Sequence, residues 1–162
     1  GGGGGGVARG RGRARQETLG TVVVAGSARG RGEVEAARSG CGGALSGMPN
    51  DSATWVKLGS LLFQEDASQS ALAYERAVEN APNLAAAHNG LGAARMQLGD
   101  EAGAIEALSR AAELDPTDPH PVMNLALSYG RAGEDDAARW QWRAALDRDP
   151  NAEFARARLA RM

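Results

Sequence analysis

The sequence predicts an all-α fold, a right-handed helix-turn-helix solenoid, and three observations predict it. Pro82, Pro116 and Pro150 recur at a constant interval. A set of columns travels with each proline: Ser70, Tyr74 and Ala77, then Ala104, Leu108 and Ala111, then Ala138, Trp142 and Ala145. Upstream of them stand Leu58-Gly59, Leu91-Gly92 and Leu125-Ala126, and Leu159-Ala160 repeats the pair at the end of the chain. Self-similarity at this period marks stacked helical pairs, in which no unit can bury its apolar face alone.

The first fifty residues do not share the pattern. They hold 16 of the 23 glycines and none of the seven aromatic residues. They carry seven arginines against three glutamates, so they are basic, while residues 51–162 carry 11 basic and 17 acidic groups. Gly1–Gly6 and Arg9-Gly10-Arg11-Gly12-Arg13 have little apolar area to offset the entropy that glycine loses on ordering, so residues 1–50 are expected to be a disordered arm. An Arg/Gly arm could neutralise phosphates, which makes nucleic acid an alternative partner, although no aromatic is there to stack on bases. Val22–Gly32 resembles the nucleotide-binding turn of short-chain dehydrogenases, with glycines at 26, 30 and 32. Such a turn needs a large parallel sheet after it, and the helical repeats begin too soon for one.

Ser39-Gly40-Cys41 resembles a lipoprotein cleavage box, but Arg38 replaces its apolar residue and Glu33 and Glu35 interrupt its apolar segment. A secretory signal over Arg11–Ala28 would have a short apolar core broken by two glycines. The expectation is therefore a cytoplasmic protein, with an exported lipoprotein or periplasmic form as the alternative. No apolar run approaches the ~20 residues of a spanning helix. Cys41 is the single cysteine, which excludes an internal disulfide and a zinc site built on several thiolates. His88 and His120 lie in different repeats with no ligand at metal spacing, so no metal or cofactor is expected. His88 is expected to fill a core column. The Ala-, Arg- and Gly-heavy usage suggests a GC-rich bacterial source. Gly1 at the start points to a fragment or a processed form.

From Asp51 the apolar period becomes helical. Trp55, Leu58, Gly59 and Leu62 fall at i, i+3, i+4 and i+7, as do Val122, Leu125, Ala126 and Tyr129. The second helices show Ala71, Tyr74, Ala77 and Val78, then Ile105, Leu108, Ala111 and Ala112, then Ala138, Trp142, Ala145 and Leu146. Gly99-Asp100 and Gly133-Glu134 supply a helix stop followed by an acidic start. In the first unit Glu65-Asp66 takes that place, one residue earlier. Each second helix closes before its proline, and Asp118-Pro119 is a cap followed by a first-turn residue.

These columns resemble the tetratricopeptide repeat. Trp55, Leu58, Gly59, Ser70, Tyr74, Ala77 and Pro82 carry the signature in the first copy; Leu91, Gly92, Gly99, Ala104, Leu108, Ala111 and Pro116 in the second; Leu125, Ala126, Tyr129, Gly133, Ala138, Trp142, Ala145 and Pro150 in the third. The expected organisation is units 51–84, 85–118 and 119–152, then a terminal helix 153–162. That last piece is either a capping helix with Arg156, Arg158 and Arg161 toward water, or the start of a longer array whose open face could support an oligomer.

The resemblance implies a function of protein–protein interaction without catalysis, since first helices of such repeats line a concave surface that receives a peptide or helix. Matching that face places Ala53, Val56, Ser60, Phe63 and Gln64 in the groove from the first unit. The second adds Ala86, Asn89, Ala93, Met96 and Gln97, and the third His120, Met123, Leu127, Gly130 and Arg131, with Asn124 beside them. One branch of the family clamps a terminal carboxylate with lysine, arginine and asparagine. Here Val56, Ser60 and His120 occupy those columns, and Lys57 is the only lysine, so such a clamp is not expected. Val56, Phe63, Met96, Met123 and Leu127 are expected to offer apolar contacts, and Asn89 and Asn124 to pair with a partner's backbone. Trp140 is off the core column and is a minor candidate contact on the convex side. Alternative roles are a nucleic-acid-associated factor or a regulatory piece of a larger enzyme or secretion complex.

The same columns predict that Gly59, Gly92 and Ala126 face Ser70, Ala104 and Ala138 at the crossing of each helical pair. Replacing Ala104 with leucine should overpack that crossing and cost about 1–3 kcal/mol. A thermal melt reads this, and an unchanged midpoint would contradict the packing assignment.

Overall fold

The structure, a computed structural model, describes residues 51–162. The expected arm over residues 1–50, with its phosphate-binding, export-signal and Cys41 readings, lies outside the described residues. Seven helices follow one another: α1 Ser52–Leu62, α2 Ala67–Asn80, α3 Ala85–Leu98, α4 Glu101–Leu114, α5 Pro119–Arg131, α6 Asp135–Arg148 and α7 Glu153–Leu159. There is no strand among the described residues. The array is an all-α helix-turn-helix solenoid.

Local chemistry explains each boundary. Asp51, Asp66, Asp100 and Asp118 cap α1, α2, α4 and α5, each carboxylate accepting from an otherwise unpaired amide of the first turn. Pro119 opens α5, where its missing N–H removes nothing from the helix. Glu134 precedes α6 without a side-chain bond, and Asp135 and Asp136 place negative charge in the first turn instead. Gly99 and Gly133 have φ of 79° and 80°, the left-handed conformation that ends α3 and α5. The amides of Asp100 and Glu134 then reach back to the carbonyls of Arg95 and Tyr129 at 3.0 and 2.8 Å. The first unit turns without glycine, through amides of Glu65 and Asp66 that both bond Leu62 O.

The turns between units repeat a second device. Asp115 Oδ1 accepts from the Thr117 amide and hydroxyl, and Asp149 Oδ1 accepts from the Asn151 amide. The Thr117 hydroxyl is the main reason that the Asp115 carboxyl sits below its usual range. The stabilisation from this turn is therefore present above the ordinary carboxylate pKa and is lost as pH falls through the lowered folded value.

Each first helix packs on its own second helix, and each second helix on the next first helix. In addition α1 touches α3, and α3 touches α5, whereas no second helix makes a comparable approach to another among the described residues. The first helices therefore crowd the inner side of the array. The core follows this stacking. Leu58, Leu62 and Ala73 form its start; Tyr74, Leu91, Ala94 and Ala107 its middle; Leu108, Val122, Leu125, Ala126, Trp142 and Ala155 join the later units.

The helical pairs cross at small residues. Ser70, Ala104 and Ala138 are fully buried, and Ser70 Oγ donates to Gly59 O at 2.7 Å. A Cβ on Gly92 would lie 2.4 Å from Leu108 Cγ. Tyr74 shows the tightest fit. Its ring lies between α1 and α3, where a Cβ on Gly59 would come within 2.8 Å of it and one on Gly90 within 2.2 Å. Its hydroxyl is 3.0 Å from Ser60 Oγ, so the ring is held at its far end as well. His88, expected in a core column, is half-buried, and its Nε2 lies 2.8 Å from Pro82 O.

Gly90→Ala should thus destabilise the array by about 1–3 kcal/mol, because the Tyr74 ring has no room to retreat. Gly130 is a contrasting helical glycine, with nothing within 4 Å of its added Cβ. Gly130→Ala should be neutral or stabilising by up to about 1 kcal/mol, from helix propensity alone. Thermal melts of the two variants check both; equal midpoints would contradict the wedge assigned to Tyr74.

Candidate functional site

The inner wall is built from the exposed sides of α1, α3 and α5. Val56 and Phe63 of α1 and its C-terminal turn are half-buried and lean on the cluster around Tyr74 and Leu91. Met123 and Leu127 of α5 are half-buried against the cluster around Val122 and Leu125. All four keep part of their apolar surface open. Gln64, Gln97, His120 and Arg131 are exposed.

Three expected groove residues behave differently. Met96 is only 8% exposed and belongs to the core with Ala104, Leu108 and Val122, where it seals the seam between α3, α4 and α5. Asn89 and Asn124 are directed at each other, with Asn124 Nδ2 donating to Asn89 Oδ1 at 3.1 Å. The pair ties α3 to α5 across the wall, and each amide retains further hydrogen-bonding capacity. Arg131 makes a second tie of the same span. Its Nη1 donates to Met96 O at 2.9 Å and lies 3.5 Å from Glu101 Oε1. His120 Nδ1 is 2.6 Å from Asp118 Oδ1, so the cap of α5 also orients the imidazole.

Sequence columns did not announce the part played by α7. Phe154 is half exposed, meets the Trp142 ring edge-on at a centroid distance of 5.7 Å, and lies 5.3 Å below the Arg158 guanidinium carbon. Phe154 lies one full repeat after His120, which would have placed it in a groove column had the period been carried one step further. Trp140 is 66% exposed and off the core face of α6, whereas Trp142 is buried. A separate cleft of about 470 Å³ is lined by residues of α2, α3 and α4, among them Val78, His88, Glu106 and Arg110. Arg110 there is already held by Glu113 and Asn83. Among the described residues no group of three or more His, Cys, Asp and Glu side chains could hold a metal ion, and no helix is long and apolar enough to cross a membrane.

Known proteins match this architecture. The family model described as Tetratricopeptide repeat matches residues 85–118. The peroxisomal targeting signal receptor of Komagataella phaffii is 38% identical over 84 residues, which is 51% of this chain and 15% of the receptor. The receptor of the same name from Yarrowia lipolytica is 41% identical over 71 residues, 44% of this chain and 12% of that protein. The chain thus spans at most about 15% of the length of these relatives. Among solved structures the crystal structure of MamA is similar with a TM-score of 0.70 and 25% identity, over 76% of this chain and 73% of that one. Column spacing, paired helices and the family match agree on a tetratricopeptide repeat at residues 85–118, with helical pairs of the same kind stacked on either side of it.

Proposed function

We propose that this chain is a protein-interaction adaptor that holds a segment of another polypeptide along the inner wall of α1, α3 and α5, with no catalytic step. The observation that supports this best is the composition of that wall. Val56, Phe63, Met123 and Leu127 keep part of their apolar surface open, and Gln64, Gln97, His120 and Arg131 surround them. An apolar centre with a polar rim is the usual anatomy of a protein interface, and methionine adapts readily to different partners. Asn89 and Asn124 have amide groups left to meet a partner's backbone. The similar receptors are named for a targeting signal, which fits a wall that reads a short stretch of chain. In this reading the repeats comprise units 51–84, 85–118 and 119–152 and the terminal helix.

Short peptides selected on the full chain from a displayed random library test the proposal. Binding of the selected peptides should fall about tenfold or more in a Phe63→Ala/Met123→Ala/Leu127→Ala variant, a loss of at least ~1.4 kcal/mol. Trp140→Ala, on the other side of the array, should leave binding unchanged. Circular dichroism melts confirm that the variants stay folded. Equal binding to a folded triple variant would show that the wall is not the site.

A further inference from the structure

We infer that the segment held by this wall is acidic, and that the wall engages its side-chain carboxylates rather than a free chain terminus; this rests on the reading of the wall as a polypeptide site. Charge is divided between the two kinds of helix. α1, α3 and α5 carry Lys57, Arg95 and Arg131 and not one aspartate or glutamate. The second helices α2, α4 and α6 carry eight carboxylates between them. Residues 51–162 are acidic as a whole, so first helices without acids are the reverse of what composition alone would give.

The cations differ in how far they are already engaged. Arg95 is held by Glu75 at 3.3 Å and by Gly103 O at 3.2 Å. Arg131 is tied to Met96 O and Glu101, yet its side chain remains 55% exposed. Lys57, Arg158 and Arg161 are exposed, and no carboxylate among the described residues forms an ion pair with them.

The repeat aligns two of these cations, Lys57 on the first helix of the wall and Arg158 on α7 beyond its last helix, with the Asp51 carboxylate within electrostatic reach of Lys57. The contact of Asn124 with Asn89 shows which columns of neighbouring first helices face each other. One period onward, Arg158 stands in the column of Asn124 and Met123 in that of Asn89. In the other direction that column runs through Gly90 to Lys57. The column therefore has Lys57 at one end, Arg158 at the other, and neutral Gly90 and Asn124 between. The Phe154 ring beneath Arg158 gives its planar guanidinium a backing while leaving its donors free, the arrangement that suits a carboxylate. The second helices carry eight carboxylates against five arginines, so an acidic segment meets net negative charge there and net positive charge on α1, α3 and α5. Val56, Ser60 and His120 stand where a terminal-carboxylate clamp needs basic or amide groups, and the His120 Nδ1 is already engaged by Asp118.

The test uses the full chain and a library of short peptides with fixed leucine and methionine anchors and glutamate, glutamine or lysine at the remaining positions. Selection should enrich glutamate, the affinity of the selected peptides should fall with added salt, and amidation of their carboxyl terminus should change it less than twofold. Lys57→Gln and Arg158→Gln should each weaken the glutamate peptides by about two- to fivefold, as expected for solvent-exposed pairs. The same variants should leave the all-glutamine counterparts unaffected. Enrichment of lysine or glutamine, loss of binding on amidation, or no selected peptide at all overturns the inference. If glutamine peptides bind as tightly and still require Phe63, Met123 and Leu127, the acidic preference falls while the wall remains the site. If selected peptides ignore those three residues, the wall itself is wrong.

Discussion

Contact between helices at small residues is the constraint on which the rest of this structure depends. Ser70, Ala104 and Ala138 are fully buried, and Gly59 and Gly92 let the first two helical pairs close to backbone distance, at Ser70 and at the Ala104 carbonyl. Once the pair has closed, the larger side chains of the second helix have nowhere to go but outward to the next unit. Tyr74, Leu108 and Trp142, one in each unit and in the same column, make that step. The small residues therefore do more than save space: they direct the large ones across the interface, so that stacking, and not the single unit, completes the core.

The fold was legible in the sequence because its determinants are local and periodic. Prolines, αL glycines and capping aspartates each act within one turn of chain, and their spacing carries through to helix boundaries. The fit of Gly90 was not legible in the same way. It lies outside the small-residue columns, and within its own helix it is merely a poor helix former. Its reason is the Tyr74 ring, which arrives from the preceding helix. Met96 and the asparagine pair were hidden for a related cause. Column arithmetic gives the direction of a side chain from the helix axis, but not how closely the neighbouring helix approaches. At α3 the approach of α5 is close enough to cover Met96 and to join Asn89 to Asn124.

The two surfaces of the array have separate chemistry. Carboxylates gather on the second helices, in part paired with arginines one helical turn away, such as Arg76 with Glu79 and Arg110 with Glu113. Such exposed pairs contribute little to stability, so their effect is mainly on the field around the protein. The first helices keep apolar side chains half open and lack acids altogether apart from Glu153 at the start of α7. One repeating backbone thus presents a solvated, negative outside and a drier inside.

The bond from Arg131 to Met96 O has a further consequence. That carbonyl lies in the last turn of α3 and also accepts from the Gly99 amide, so its second lone pair is filled by a cation from the following unit. Charged hydrogen bonds of this kind are worth about 1.5–3 kcal/mol when shielded, and less where the guanidinium is half exposed, as here. The closing turn of one module is in this way finished by its successor. Loosening α5 strips a partner from the end of α3, so local opening spreads across the joint, and neighbouring modules gain and lose their order together.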